Sequence, residues 1–536
     1  MPEQGMVAAG HTATAEAGAA ILRAGGNAVD AAIAAVCTSF CAEPVLTAAG
    51  GGGFMLVAAP HQRPALYDGF ARMPRSIIHH RSTTASFSAD TSTELKAIPI
   101  DFGDTVQTFH IGQASVGTPS LLAMLFEAHL QHGKLPLREA LMPGIEAAKN
   151  GIRLNHLQAS FIKLLQPILS SSEPSKSLHA PAGKLLVEGD CFRNPDLGNT
   201  LEMLAIEGID EMYHGDLARA IVSACTPHGL LGMEDMCSQQ VNTRTPLSTP
   251  MFGGTLLTNP PPSSGGLLIT FSACLLDHLP ARGASAKMPW PVMMTEALHA
   301  ASSIRHQGLD ARIHKRDIES EILNHHVLQT QMDNILQRLR GIAQDRHDEP
   351  VNRNGSTTHI SIVDKDGMAV SLTTSNGEGS GIVVPGTGIH LNNMLGEEDI
   401  NPLGFHALPG GTTLSSMMAP SIFMKDGRPA IVLGSGGSNR LRGAILQVLT
   451  RHLLLNQSIE EAVHAPRLHN EGDRLDIEPD FLSDHEKDQL IQMGWKLNPW
   501  KQQSVYFGGV NAISCDIKGQ LCASGDPRRG GAVCYA

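Results

Sequence analysis

Thr357-Thr358-His359 opens an extended run that reaches Val363, and Asp364-Lys365-Asp366-Gly367 joins it to a second run ending at Thr373-Thr374-Ser375. A threonine hydroxyl is a poor nucleophile until a base stands beside it. If the chain is cut before Thr357, the new α-amine supplies that base. With a pKa of about 7.7–8.0, a useful fraction of it is neutral at working pH. The chemistry on offer is acyl transfer through a threonine ester. The same spelling also suits a plain hairpin, because threonine favours strands.

The elements that must position this threonine are legible. Ile360 and Ile362 alternate with Ser361 and Val363, and Met368, Val370 and Leu372 alternate on the way out. Asp-Gly between alternating runs signals a hairpin. Residues 338–356 are polar and charged, which suits a segment that reaches a cleavage point and then releases its end. Upstream, residues 14–24 read as an alanine-rich helix stopped by Gly25-Gly26, and a second helix runs from Ala28 to Glu43-Pro44. Residues 54–57 read as a buried strand and 81–104 as a surface loop. Helices are expected over 119–149, 154–169, 297–307, 441–455 and 483–493. Extended runs flanked by helical runs fit a layered α/β fold.

Composition narrows the function classes. The 536 residues can bury a large core, and length alone suggests three or four domains. At 42% hydrophobic and 17% charged the chain is globular. A formal net charge of -12, no long basic run and 4% aromatics argue against nucleic acid. The first six residues show neither a basic nor an apolar signal region, and residues 28–40 are too short to span a membrane. The expected location is therefore cytoplasmic, or periplasmic or secreted if a targeting segment precedes the chain. Nine cysteines without a CxxC fit a reducing compartment, with Cys37 and Cys41 as small core residues on one helical face. The histidine pairs His79-His80 and His325-His326 lack partners at ligand spacing, so no metal or cofactor is expected.

Thr357-Thr358-His359, the strand after it and the Asp-Lys-Asp-Gly turn resemble the start of the small subunit of γ-glutamyltransferases, which are N-terminal-nucleophile hydrolases. The resemblance extends over nearly the whole chain. Upstream it rests on Gly25-Gly26-Asn27-Ala28-Val29-Asp30-Ala31-Ala32, Gly50-Gly51-Gly52-Gly53-Phe54, Gly117-Thr118-Pro119 and Asn259-Pro260-Pro261-Pro262-Ser263-Ser264-Gly265-Gly266. Downstream it rests on Leu391-Asn392-Asn393, Leu414-Ser415-Ser416-Met417, Gly434-Ser435-Gly436-Gly437, Ala465-Pro466-Arg467 and Asp526-Pro527-Arg528. It implies a four-layer αββα fold built jointly by a large subunit, 1–356, and a small catalytic subunit, 357–536. One precursor would supply both by cutting itself between Ser356 and Thr357.

The resemblance also implies roles. Thr357 becomes the nucleophile. Ser375 falls on the family's second hydroxyl residue, although it also reads as a turn residue before Asn376-Gly377-Glu378-Gly379. An acyl-transfer site needs donors aimed at the developing oxyanion, and a glycine turn offers backbone N–H groups. Aligned without a gap the family's pair falls on Gly437 and Ser438, and with a slip of one it falls on Gly436 and Gly437. Gly50 to Gly53 reads as close backbone packing near the site. Ser415 and Ser416 match the serines that hold the substrate α-carboxylate. Glu397 keeps the acid that grips the α-amino group, with Asn376 nearby as a further binding residue, whereas Met394 replaces an amide. The arginine that clamps the substrate carboxylate is displaced. Where relatives read Asp-Phe-Arg, this chain reads Tyr67-Asp68-Gly69-Phe70-Ala71-Arg72. Arg72 stands two places late, where a strand points it the same way.

The leading expectation is a self-processing hydrolase or transferase of γ-glutamyl amides such as glutathione, with water or an amine as acceptor. Ser415, Ser416 and Glu397 favour it. Arg72 and Met394 favour an acylase with the same machinery and another acyl group, such as glutaryl. An uncut, inactive relative serving as a binding protein is the alternative from another class.

Overall fold

The hairpin forms in the expected register. Thr358–Val363 and Ala369–Ser375 pair antiparallel, with Ile360 opposite Leu372 and Ile362 opposite Val370. Asp364 closes the turn by accepting the N–H groups of Asp366 and Met368, both at 2.9 Å. Its second oxygen accepts from Ala28 N at 3.0 Å. One side chain thus ties the turn to the start of an N-terminal helix. The structure, a computed structural model, describes residues 5–76, 95–101, 106–279, 288–339 and 356–536.

Two sheets organise the molecule. Upstream of Thr357 their strands are β1 (Met6–Ala9), β2 (Gly52–Ala58), β3 (Ala65–Gly69), β4 (Asn242–Arg244), β5 (Leu247–Met251) and β6 (Gly254–Thr258). Downstream are β7 (Thr358–Val363), β8 (Ala369–Ser375), β9 (Ser421–Lys425), β10 (Arg428–Gly436), β11 (Gly509–Cys515), β12 (Leu521–Ser524) and β13 (Ala532–Tyr535). The first sheet runs β13-β1-β7-β8-β2-β3-β4, and the second β12-β11-β10-β9-β6-β5. Strands from both sides of Thr357 therefore share each sheet. The two sheets face one another where β7 and β8 meet β10.

Helices cover the outer faces. Against the first sheet lie α1 (Thr12–Arg23), α2 (Ala28–Ala42) and α3 (Leu121–His132), and α4 (Leu137–Asn150) packs on α2. Against the second lie α5 (Ser264–His278) and α7 (Leu441–Leu454), with α6 (Trp290–Ile304) packed on α5. The result is an α/β fold of four layers. Every residue of α2 is buried, because its alanines and cysteines leave room for close neighbours. Its N-terminus is closed by a capping box between Asn27 and Asp30. β7 and β8 are buried throughout, as central strands with both faces covered must be.

Some expectations need correction. Lys96–Asp101, read as loop, is a strand paired with Val106–Ile111; 81–94 and 102–104 lie outside the described residues. The long helical reading over 119–149 breaks at Gly133, where α3 ends, and the reading over 154–169 divides into His156–Leu164 and Gln166–Leu169. Most of the polar segment at 338–356 also lies outside the described residues. All nine cysteines are unpaired, and Cys37 and Cys41 are buried.

Candidate active site

Thr357 precedes the first residue of β7 and is nearly inaccessible, as is Ser356. The strand is pinned from below. Thr358 donates to Glu43 at 2.6 Å, and Thr14 donates to the other oxygen of the same carboxyl at 2.9 Å. Burial raises the Glu43 pKa, while those hydroxyl bonds and Arg529 oppose the rise. His359 points to the opposite side, with Nδ1 2.8 Å from Thr373 Oγ1 and Nε2 3.0 Å from Ser361 Oγ. Burial pushes that ring down to about 3, so it stays neutral at working pH.

Ser375, at the end of β8, returns to the start of β7. Its hydroxyl donates to the carbonyl oxygen of Ser356 and accepts the N–H of Gly377 at 3.0 Å. Ser375 thus caps the turn that follows it and bonds the carbonyl that precedes Thr357. Ser356 N–H donates to Glu378 at 3.2 Å, which fixes the other side of that residue.

The glycine turn closes the site from the second sheet. A Cβ on Gly436 would stand 2.2 Å from the Thr357 carbonyl oxygen, so only glycine permits this approach. Gly437 has φ of 125° and swings the chain away toward α7. Ser438, at φ 47°, gives its hydroxyl to Asp399, and Asn439 donates to the same carboxylate at 3.3 Å. Gly436 is thus the member of the trio that packs against Thr357.

Arg529 donates to the Thr357 carbonyl at 3.3 Å. It reaches that place through a buried ion network joining two sequence blocks quoted above. Asp526 pairs with Arg467 at 2.6 Å and with Arg528 at 3.2 Å, and Arg528 also pairs with Glu478. Asp526 caps the short turn Pro527–Arg529 through Arg528 N at 3.0 Å, which aims Arg529 inward. Burial, with Arg440 beside it, lowers the Arg529 pKa to about 10.

The remaining blocks also converge. Asn392 donates to Gly50 O at 2.8 Å and to Gly117 O at 2.9 Å, and accepts from Gly117 N at 3.0 Å. A Cβ on Gly51 would meet Ser375 O at 2.4 Å, which bears out the close-packing reading of that run. Ser415 and Ser416 are buried beside the turn that precedes α5. Ser263 donates to Ser416 O and Met418 O, both at 2.9 Å, while the Ser416 hydroxyl accepts from Met418 N at 3.0 Å. Ser416 is partly spent on its own loop.

Arg72 pairs with Thr413 on a short ladder that leads directly to Ser415. Its guanidinium donates to Gln240 O at 2.6 Å, with Asp68 as its neighbouring opposite charge. At position 70, Phe70 stacks on Phe54 with ring centroids 5.3 Å apart. Asn376 is buried, with Nδ2 3.4 Å from Leu391 O and Oδ1 lacking a donor. Met394 is buried and apolar at the site's edge. Glu397 lies against Glu378, within hydrogen-bond reach.

Sequence reasoning missed Glu378, Glu43, Asp399 and Arg529. Arg529 stands one residue beyond a block already singled out. Glu378 was passed over as part of a glycine-rich turn. Among the described residues no cluster of His, Cys, Asp and Glu could hold a metal ion, and no helix is long and apolar enough to cross a membrane.

Residues 14–536 match the family model described as Gamma-glutamyltranspeptidase. The chain is 29% identical to the glutathione hydrolase proenzyme of Escherichia coli, over 98% of this chain and 90% of that protein. It is 30% identical to the glutathione hydrolase proenzyme of Pseudomonas aeruginosa, over 98% and 93%. It is also 28% identical to the acylase ACY 1 proenzyme of a Pseudomonas species, over 97% and 91%. The structure of cephalosporin acylase from Bacillus halodurans superimposes with a TM-score of 0.83 at 24% identity, covering 99% of this chain and 96% of that one.

Proposed function

Because the chain belongs to the γ-glutamyltranspeptidase family, we propose that it is a self-cleaving N-terminal-nucleophile enzyme acting on γ-glutamyl amides. The observation that carries this reading is the Ser375 hydroxyl on the Ser356 carbonyl, with Thr357 next in the chain. Attack of Thr357 Oγ on that carbonyl carbon places negative charge on an oxygen that already has a donor. An N-to-O acyl shift and hydrolysis then free the Thr357 α-amine. The mature hydroxyl attacks a substrate amide, the amine carries the proton to the leaving group, and water or an amine acceptor resolves the ester.

The cut leaves a large subunit, 1–356, and a small subunit, 357–536, that stay together because their strands share both sheets. That the curated relatives are proenzymes supports this. We assign Ser375 and the Gly436–Ser438 turn to oxyanion support, Ser415 and Ser416 to the substrate carboxylate, and Glu397 with Asn376 to its amine. Arg72 is the candidate for a second carboxylate contact.

A second reading, an acylase for another acyl group, is favoured by Phe70 stacked on Phe54 where the family's clamp arginine would fall. Its support also includes the acylase relative. Hydrolysis of paired γ-glutamyl and glutaryl anilides by the self-cleaved protein decides between the two. Faster turnover of the γ-glutamyl compound supports the first, and the reverse supports the second.

A further inference from the structure

Ser356 is held on both sides of its α-carbon, and the group that holds its N–H is the one the family resemblance leaves without a role. Glu378 is 3% exposed and accepts from Ser356 N at 3.2 Å. Its other oxygen, Oε2, is buried without a hydrogen-bond donor, and so are Glu397 Oε1 and Asn376 Oδ1. The Glu378 and Glu397 carboxyls lie within hydrogen-bond reach of each other. Two carboxylates in contact away from water cannot both be ionised unless a proton or a cation stands between them.

The neighbouring groups supply no such cation. Asp399 is engaged by Ser438 and Asn439. Arg305 pairs with Asp310 at 2.9 Å and donates to Asn439 Oδ1 at 3.0 Å and to the Asp399 backbone oxygen at 3.3 Å. Arg529 is turned to the Thr357 carbonyl. His390 stands beside Gly379 and burial keeps it neutral. Among the described residues no cationic side chain bonds Glu378 or Glu397. Burial, above all, accordingly holds Glu378 up at about 7 and Glu397 well above the usual carboxylate range.

Scission removes the Ser356 N–H that Glu378 accepts. Once Ser356 withdraws, the pocket beside the Thr357 amine presents the unpartnered carboxyl oxygens of Glu378 and Glu397 together with the Asn376 amide oxygen. We propose that Glu378 is a specificity residue that joins Glu397 in clamping the ammonium group of the acyl substrate, and that the two carboxyls release a shared proton as the ammonium enters. The proton goes to solvent, and a carboxyl–carboxylate pair becomes two carboxylates bridged by one ammonium. This rests on the function proposed above, in which Glu397 acts as the amine-binding acid, and adds a second acid and a proton exchange to it.

The test is calorimetric titration of the self-cleaved protein at pH 6.5 with L-glutamate and with glutarate, in two buffers of different ionisation enthalpy. Glutamate is expected to bind with net proton release and glutarate without it. In Glu378→Gln the glutamate Kd should rise by at least about tenfold, as when one of two charges facing a buried cation is lost. Proton release should vanish, with glutarate binding unchanged or tighter. Glutamate binding without proton release overturns the proposal, as does an unaltered Kd in the variant. The buffer comparison needs only the native protein, so a variant that fails to fold or cleave leaves the proposal testable. If proton release is seen but no anilide is hydrolysed, the enzymatic reading fails and the clamp stands. If only glutaryl anilides are hydrolysed and glutamate does not bind, the clamp fails and the amidase remains.

Discussion

The hydroxyl of Ser375 donates to the carbonyl oxygen of Ser356, so the last residue of one central strand holds the bond that precedes its neighbour. This contact exists only while the chain is uncut. Removing an oxyanion donor typically costs about 10²–10³ in rate. Ser375→Ala should therefore slow self-cleavage by about that factor in a gel time course, and Ser375→Thr should restore it. An unchanged rate in the alanine variant assigns Ser375 to the turn alone.

Self-cleavage itself should give fragments of about two-thirds and one-third of the chain through attack by the Thr357 hydroxyl. Sequencing the smaller fragment should read Thr-Thr-His-Ile-Ser. Thr357→Ala should remain a single chain and hydrolyse no anilide. A different first residue would move the nucleophile.

Gly436→Ala places a methyl 2.2 Å from the Thr357 carbonyl oxygen, where neither backbone can yield cheaply. The expected result is a folded protein, destabilised by about 1–3 kcal/mol. Its kcat should fall by about a hundredfold because the nucleophile is displaced. Melting and anilide kinetics measured on one sample check both parts, and native kcat would make the close approach incidental.

The acid pair gives the uncut protein a pH signature. Glu378 is raised to about 7, so the folded state binds its proton more tightly than the unfolded state does. That contribution is complete below the ordinary carboxyl range and is lost as pH rises through about 7. Thr357→Ala should lose stability between pH 5 and pH 8 relative to the double variant that also carries Glu378→Gln. At 1.36 kcal/mol per pKa unit the difference is about 1–3 kcal/mol. Parallel melting curves would show that the carboxyl titrates normally.

Arg72 offers a test of specificity. Its guanidinium is tied to Gln240 O on a ladder that leads to Ser415. If it also meets a substrate carboxylate, Arg72→Ala loses about 2–5 kcal/mol of binding. The KM for a γ-glutamyl anilide should then rise strongly while self-cleavage continues. Arg72→Lys should recover part of the loss, since a point charge lacks the planar fork. A KM within about twofold of native hands the carboxylate to another group and strengthens the acylase reading.

Whatever depended on local pattern was determined by the sequence alone. Period-two alternation across an Asp-Gly turn produced the central hairpin in register, and small residues after the Asn27 cap produced a fully buried helix. Ordered blocks named the family, because each is a backbone requirement that few residue types meet. Tertiary structure decided which blocks touch and what the touching does. Glu378 sits in a turn that looks permissive, and its carboxyl acquires meaning only against Ser356 and Glu397, residues 22 and 19 positions away. Arg529 faces Thr357 across 172 residues through an ion network that no spacing in the chain announces. The physical reason is that burial and charge pairing are set by distance in space, and folding brings those distances together without marking them in the order of residues.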